Sequence, residues 1–144
     1  MQAQELLDRD EITRLVYRLG VVLDEGRFDE MPSIFTEDAT VHTPGGLAKG
    51  RDALTAQAQR THSPGERIQH VVGNVLIDLD GDRADVRANL VVTFATGNPP
   101  EGRLAPAPRL TLGEVYRFQA ARTPQGWRLT HLRSTPIWAT GSPS

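Results

Sequence analysis

Four histidines, no cysteine and eighteen scattered carboxylates are the groups in this chain that could move protons or hold a metal. An imidazole titrates near ~6.5 and serves as base and acid at neutral pH once a carboxylate fixes its tautomer. His70 is the best placed of the four. It falls in Arg67-Ile68-Gln69-His70-Val71-Val72-Gly73-Asn74, the first half of a long strand, among apolar and amide neighbours. On its own that strand face could equally meet solvent, so the chemistry needs a partner, and the best candidate is Asp24. Asp24 closes an amphipathic helix, where the helix dipole disfavours a carboxylate by roughly 0.3–1 kcal/mol, so some other interaction must hold it there. His42 and His131 fall in strands, where a histidine is more often a hydrogen-bonded packing residue. His62, in the polar stretch Thr61 to Glu66, reads as solvated.

Other chemistries are poorly supported. Without cysteine there are no disulfides, thiolate ligands or cysteine nucleophile, and no His-x-His or His-x-x-x-His spacing occurs, so no metal is expected. Pro44-Gly45-Gly46-Leu47-Ala48-Lys49-Gly50-Arg51 precedes a helix but lacks the spacing of a phosphate loop and reads as a turn. Neither a Gly-x-Ser-x-Gly elbow nor a Gly-x-Gly-x-x-Gly fingerprint is present. Acid–base chemistry without a cofactor is what remains. Sixteen Lys+Arg against eighteen Asp+Glu give a net charge of −2, and the basic residues are dispersed, so a nucleic-acid partner is not expected. Met1 to Asp10 is polar and acidic where a secretory signal needs a basic start and an apolar run, and no apolar stretch approaches a membrane span. The expectation is a soluble, cytoplasmic protein without a membrane partner.

The elements that must position these groups follow from periodicity. The 144 residues suit one domain, 1–144, with a frayed tail from about 140. Asp8-Arg9-Asp10-Glu11 has capping-box spacing, and Ile12, Leu15, Val16, Leu19, Val22 and Leu23 recur at helical intervals before Gly26. Phe28 to Phe35 reads as a short second helix, Ala39 to Thr43 as a strand, and Arg51 to about Arg60 as a third helix. Ile68 to Asp80 and Arg83 to Thr96 read as two long strands around a hairpin at Gly81-Asp82. Gly97 to Pro108, with four prolines and two glycines, reads as a mobile loop. Arg109 to Ala121 and Trp127 to Trp138 complete four antiparallel strands. Helices and strands segregate along the chain, which is an α+β arrangement.

A two-residue hairpin loop sets His70 opposite Thr93, Val72 opposite Val91, Asn74 opposite Asn89 and Leu76 opposite Arg87, a half-polar face suited to a pocket. Val71, Val75, Ile77, Leu79, Val86, Leu90, Val92 and Phe94 then fall on the other face. Turned outward, they exceed the apolar area a monomer usually exposes, which predicts a homodimer or homotrimer. A β-bulge near Gly73 would instead swap the faces partway along the strand.

Three blocks, Ile12-Thr13-Arg14-Leu15-Val16-Tyr17 through Leu23-Asp24-Glu25-Gly26-Arg27-Phe28, Ile34 to Val41, and Gly50-Arg51-Asp52-Ala53-Leu54, are joined by Gln69-His70 and Gly126-Trp127-Arg128-Leu129. In combination they resemble the SnoaL-like branch of the nuclear transport factor 2-like (ketosteroid isomerase-like) superfamily. The resemblance covers nearly the whole chain. It implies a cone-shaped α+β barrel, with three N-terminal helices packed into a strongly curved sheet around a deep apolar pocket. The site pattern is similar to scytalone dehydratase and hexachlorocyclohexane dehydrochlorinase, and implies that His70 and Asp24 form a catalytic dyad with histidine as base. The second pocket histidine of the former and the pocket lysine of the latter have no obvious match. Tyr17, Asn74, Asn89, Thr93, Tyr116 and Arg133 are then the candidates to bind or polarise the substrate, with Tyr17 and Asn74 first. The implied function is a lyase or isomerase, dehydratase or cyclase in type, acting without a cofactor on a small apolar cyclic substrate such as a polyketide or terpenoid intermediate. The alternative is a non-catalytic ligand-binding or assembly subunit in which Asp24 and His70 are a structural pair.

Overall fold

A computed structural model describes residues 2–143. Helix α1 (Ala3–Glu25) buries Ile12, Leu15, Val16, Leu19, Val22 and Leu23 along one stripe and stops where Gly26 takes the left-handed conformation, φ 68°. It begins well before the predicted capping box. Asp8 is not a cap but an inward-facing residue of the second turn, and its carboxylate accepts both terminal Arg122 guanidinium nitrogens (2.9 and 2.8 Å) and Trp127 Nε1 (3.0 Å). Glu11 accepts the Trp127 backbone N–H at 2.6 Å. The acidic cluster therefore ties α1 to a distant hairpin instead of starting a helix.

The predicted second helix is a 3-10 helix, Phe28–Ser33, because Pro32 interrupts the α ladder. Phe35 already belongs to strand β1 (Phe35–Thr43), which turns through Pro44-Gly45 into an unpredicted short strand β2 (Gly46–Lys49). Helix α2 (Arg51–Thr61) anchors itself through Leu54. Four long strands follow: β3 (Glu66–Asp80), β4 (Arg83–Thr96), β5 (Pro108–Thr123) and β6 (Gly126–Gly141). Residues 140 and 141, expected in a frayed tail, close β6.

The sheet runs β2-β1-β6-β5-β4-β3, antiparallel except where β1 lies parallel to β6. Register shifts in β3, β1 and β6 bend it, and the helices fill its concave side to give a curved, unclosed α+β cone. Among the described residues no helix is long and apolar enough to cross a membrane.

One shift decides the site. From the hairpin to Leu76↔Arg87 the pairing is the one expected, but Asn74 adopts φ 51° and beyond it the register slips by one, to Gly73↔Asn89, Val71↔Val91 and His70↔Val92. Asparagine is among the few non-glycine residues that accept this backbone region readily. Because side chains alternate, the slip exchanges the two faces. Val86, Leu90, Val92 and Phe94 are buried and Val75, Ile77 and Leu79 pack against the core, so seven of the eight residues predicted outward face inward. Only Val71, 62% exposed, keeps the predicted side. Asn89 and Thr93 leave the His70 face for the same reason.

Candidate functional site

β3 is an edge strand, so alternate backbone N–H groups along it lack a sheet partner. Helix α1 crosses this edge at Gly20, where an added Cβ would lie 3.4 Å from His70 Cβ, and one turn later Asp24 reaches the strand. Both Asp24 oxygens accept the His70 backbone N–H, each at 3.0 Å, and Oδ1 also accepts the ring Nδ1–H at 2.5 Å. Three contacts explain how a carboxylate is held at a helix C-terminus. They also fix the ring: Nδ1 must carry hydrogen toward a carboxylate, so the neutral imidazole has its lone pair on Nε2. The His70 side chain is 3% exposed, and it lines a cavity of about 470 Å³.

The cavity wall is largely apolar, drawn from α1 (Leu19, Leu23), the 3-10 helix (Met31), β1 (Phe35, Val41) and α2 (Leu54). Its polar lining comes from His70, from the end of α2 with Glu66 and Arg109, and from Glu114, Tyr116 and Ser134 on β5 and β6. Tyr116 is buried and reaches it from β5, and its phenol is pushed well above its ordinary value, first by burial and then by the charges of Glu114 and Asp24. It stays protonated and can only be useful as a donor to a ligand oxygen. Glu114, two residues earlier on the same face, accepts a hydrogen bond from Ser134 Oγ at 2.5 Å.

His62 corrects the expectation of a solvated residue. It ends α2, and its ring stacks on His70 with centroids 5.6 Å apart and planes 22° from parallel. A carbonyl only accepts, so the 2.9 Å contact between His62 Nδ1 and Ala58 O places the proton on Nδ1. Burial first, then the neighbouring His70, lowers its pKa against the opposing pull of the Ala58 carbonyl and Asp24. A neutral second imidazole thus lies beside the first.

At the mouth, Arg109 pairs with Glu66, donates to Thr96 Oγ1 at 3.0 Å and to the carbonyls of Ser142 and Pro143 at 3.2 and 2.9 Å. The guanidinium holds the Glu66 carboxyl below its usual range. This cluster clamps the base of the Gly97 to Ala107 loop, none of whose residues line the cavity.

Of the residues named as substrate-binding candidates from the sequence, Tyr116 lines the cavity with His70, and Asp24 stands behind His70 without lining it. Tyr17 is on the solvent side of α1, and Asn74 is exposed at the bulge. Asn89 is exposed on the convex face, Thr93 bonds Thr111 there at 3.3 Å, and Arg133 lies on that face beside His131 and Gln119. His131 Nδ1 meets Thr40 Oγ1 at 2.6 Å, away from the cavity. Glu114 was legible in principle, as the one carboxylate in the alternating series Leu110, Leu112, Glu114, Tyr116, Phe118. Nothing local in the sequence marks His62 or Ser134.

The chain belongs to the SnoaL-like domain family, whose model matches residues 4–133. An uncharacterised protein of Mycobacterium tuberculosis is 28% identical over 131 residues, covering 90% of this chain and 85% of its own. Among solved structures, a protein from Novosphingobium aromaticivorans provisionally assigned as a scytalone dehydratase superposes with a TM-score of 0.83 at 19% identity, covering 99% of this chain and 92% of that one. A Kribbella flavida protein gives 0.82 at 20% identity (94% and 95% covered). A hexachlorocyclohexane dehydrochlorinase gives 0.79 at 19% identity (94% and 89% covered). At these identities the likeness is one of fold, the nuclear transport factor 2-like cone.

Proposed function

We propose that the protein is a cofactor-independent acid–base enzyme of the dehydratase or isomerase type, acting on a small, largely apolar cyclic ketone such as a polyketide or terpenoid intermediate. The observation that carries this reading is the 2.5 Å contact between His70 Nδ1 and Asp24, which leaves Nε2 as a proton acceptor on a cavity-lining residue. In the proposed reaction Nε2 takes a proton from the carbon beside the carbonyl, and Asp24 stabilises the imidazolium that forms. Tyr116 donates to the carbonyl oxygen as negative charge grows on it. The imidazolium then returns its proton, to another carbon in an isomerisation or to a departing hydroxyl, released as water, in a dehydration. A structural pair, the non-catalytic alternative, would not require the second ring nitrogen to be kept free beside an apolar cavity.

Turnover of cyclic β-hydroxy ketones, followed by the absorbance of the conjugated enone, tests the reading. Tyr116→Phe is expected to lower kcat by about tenfold to a hundredfold with little change in KM, since the donor matters most as charge develops. Wild-type protein inert toward the whole panel, or Tyr116→Phe as fast as wild type, would count against it.

We also infer a homo-oligomer, on a smaller surface than the sequence suggested. Val71 pairs with Val91, Val91 with Gly113 and Gly113 with Trp138, giving one row across the convex face. The Trp138 ring lies over Gly113, within 2.2 Å of where a Cβ would be, yet is 48% exposed. A second copy presenting the same row is the proposed cover. Light scattering at micromolar concentration should return a multiple of 15.8 kDa, and a monomer would refute it.

A further inference from the structure

Two carboxylates that line the cavity have no part in the dyad chemistry, and one of them, Glu66, is already paired with Arg109. Between Leu110 and Ala120 the inner face of β5 carries a single charge, Glu114. Ser134 donates to its Oε1 at 2.5 Å, a short contact that fixes the carboxyl in place. Oε2 takes no hydrogen bond among the described residues, and Glu114 lines the cavity. An ionised carboxylate only accepts. A ligand that displaces water from Oε2 without supplying a donor leaves a charged acceptor unbonded in apolar surroundings, a penalty larger than the gain from any one added contact. Such a site rejects the analogue that lacks the donor more strongly than it rewards the one that has it.

We propose that Glu114, set in place by Ser134, is the specificity-determining group of the cavity and selects cyclic ketones that also carry a hydroxyl donor. The ketone half rests on the acid–base reading above; the hydroxyl half follows from Glu114 itself. The register fixes the relative positions. His70 pairs with Val92 and Val92 with Leu112, while on the next inward row Val72 pairs with Leu90 and Leu90 with Glu114. Two strand spacings and two residues place the His70 and Glu114 Cα atoms roughly 12 Å apart in a flat sheet, with the side chains converging across a curved one. Tyr116 follows Glu114 by two residues on the same face, about 7 Å along the strand. Glu114 thus stands between the His70 row and Tyr116, and a ligand of one or two fused rings that meets Tyr116 with its carbonyl can set a hydroxyl against Glu114.

The test compares 2-tetralone with 6-hydroxy-2-tetralone, which share a skeleton and differ in one hydroxyl, by calorimetric or NMR titration. Wild-type protein should bind the hydroxylated ketone about tenfold or more tightly. Glu114→Met, close in volume but without an acceptor, should reduce the preference to about twofold or less, and Glu114→Gln, which keeps one acceptor, to an intermediate value; circular dichroism checks the fold of each. His70→Ala should keep the full preference. Equal affinities in wild type, no binding of either ketone, or a preference that survives both Glu114 substitutions would overturn the proposal. Because the readout is binding, loss of discrimination with His70-dependent turnover intact sinks Glu114 alone, whereas intact discrimination with turnover indifferent to His70 sinks the dyad alone.

Discussion

His70→Ala is expected to lower kcat by about 10²–10⁴-fold, the range spanned by a positioned general base, with the far- and near-UV spectra unchanged. Asp24→Asn is expected to fall almost as far, for a geometric reason. Asp24 receives two kinds of donor, the His70 backbone N–H on both oxygens and the ring Nδ1–H on Oδ1. An asparagine can present its oxygen to the ring only by setting its NH₂ against the backbone N–H. Turned the other way, it faces Nδ1 with a donor, which forces the tautomer carrying hydrogen on Nε2, the atom that must accept the substrate proton. Either variant turning over substrate within about threefold of wild type would show that the pair serves structure and not catalysis.

The largest effect on stability is expected at the junction of α1 with the β5–β6 hairpin. Trp127 is wholly buried, its ring lies 4.9 Å beneath the Arg122 guanidinium, and its Nε1 donates to Asp8. Trp127→Ala removes a large apolar surface and one of Asp8's donors together, a loss of about 3–5 kcal/mol, a large share of the about 5–15 kcal/mol that holds a domain folded. Urea titration should show a strongly lowered midpoint or no cooperative transition.

Asp8→Asn probes the electrostatic part of the same junction. Arg122 holds the Asp8 carboxyl well below the usual carboxylate range, with Trp127 and Gln4 adding to it against burial. A depressed carboxyl contributes stability above its unfolded value, near ~3.8–3.9, and loses it as pH falls through the lower folded value. The Tm gap between wild type and Asp8→Asn should therefore be full above about pH 5 and shrink steadily as pH drops below about 4. A gap independent of pH down to the lowest accessible value would mean that shape, not charge, is what Asp8 supplies.

The same cluster shows what local pattern could and could not reveal. The apolar stripe of α1, the hairpin at Gly81-Asp82 and the long strands were legible because their periods, 3.6 and 2, are written in adjacent residues. Asp8 looked like a helix cap because its real partners, Arg122 and Trp127, lie 114 and 119 residues away. Asp24 and His70 could be named as a pair from the family resemblance and from a carboxylate stranded at a helix end, but only the edge position of β3 explains why three donor contacts converge on one carboxylate. Asn89 and Thr93 were assigned to the pocket by strict alternation, which a single residue in a left-handed backbone conformation breaks. His62 left no trace in the pattern, since its approach to His70 depends on where α2 ends in space.

That left-handed Asn74 acts as a phase shifter between two halves of one strand. On the hairpin side, odd-numbered positions of β3 (Val75, Ile77, Leu79) meet the core, and on the His70 side the even-numbered ones (Ile68, His70, Val72) do. Straightening the bulge with every residue kept would leave the hairpin in phase and invert everything before it, sending His70 to solvent and Val71 into the cavity wall, whereas deleting the bulged residue would preserve Gly73↔Asn89 and keep His70 inward. Transplanting the dyad onto another sheet of this shape thus requires the two residues and also either the bulge or one residue fewer between His70 and the turn, because the count of regularly alternating positions, odd or even, decides which side of the sheet the imidazole belongs to.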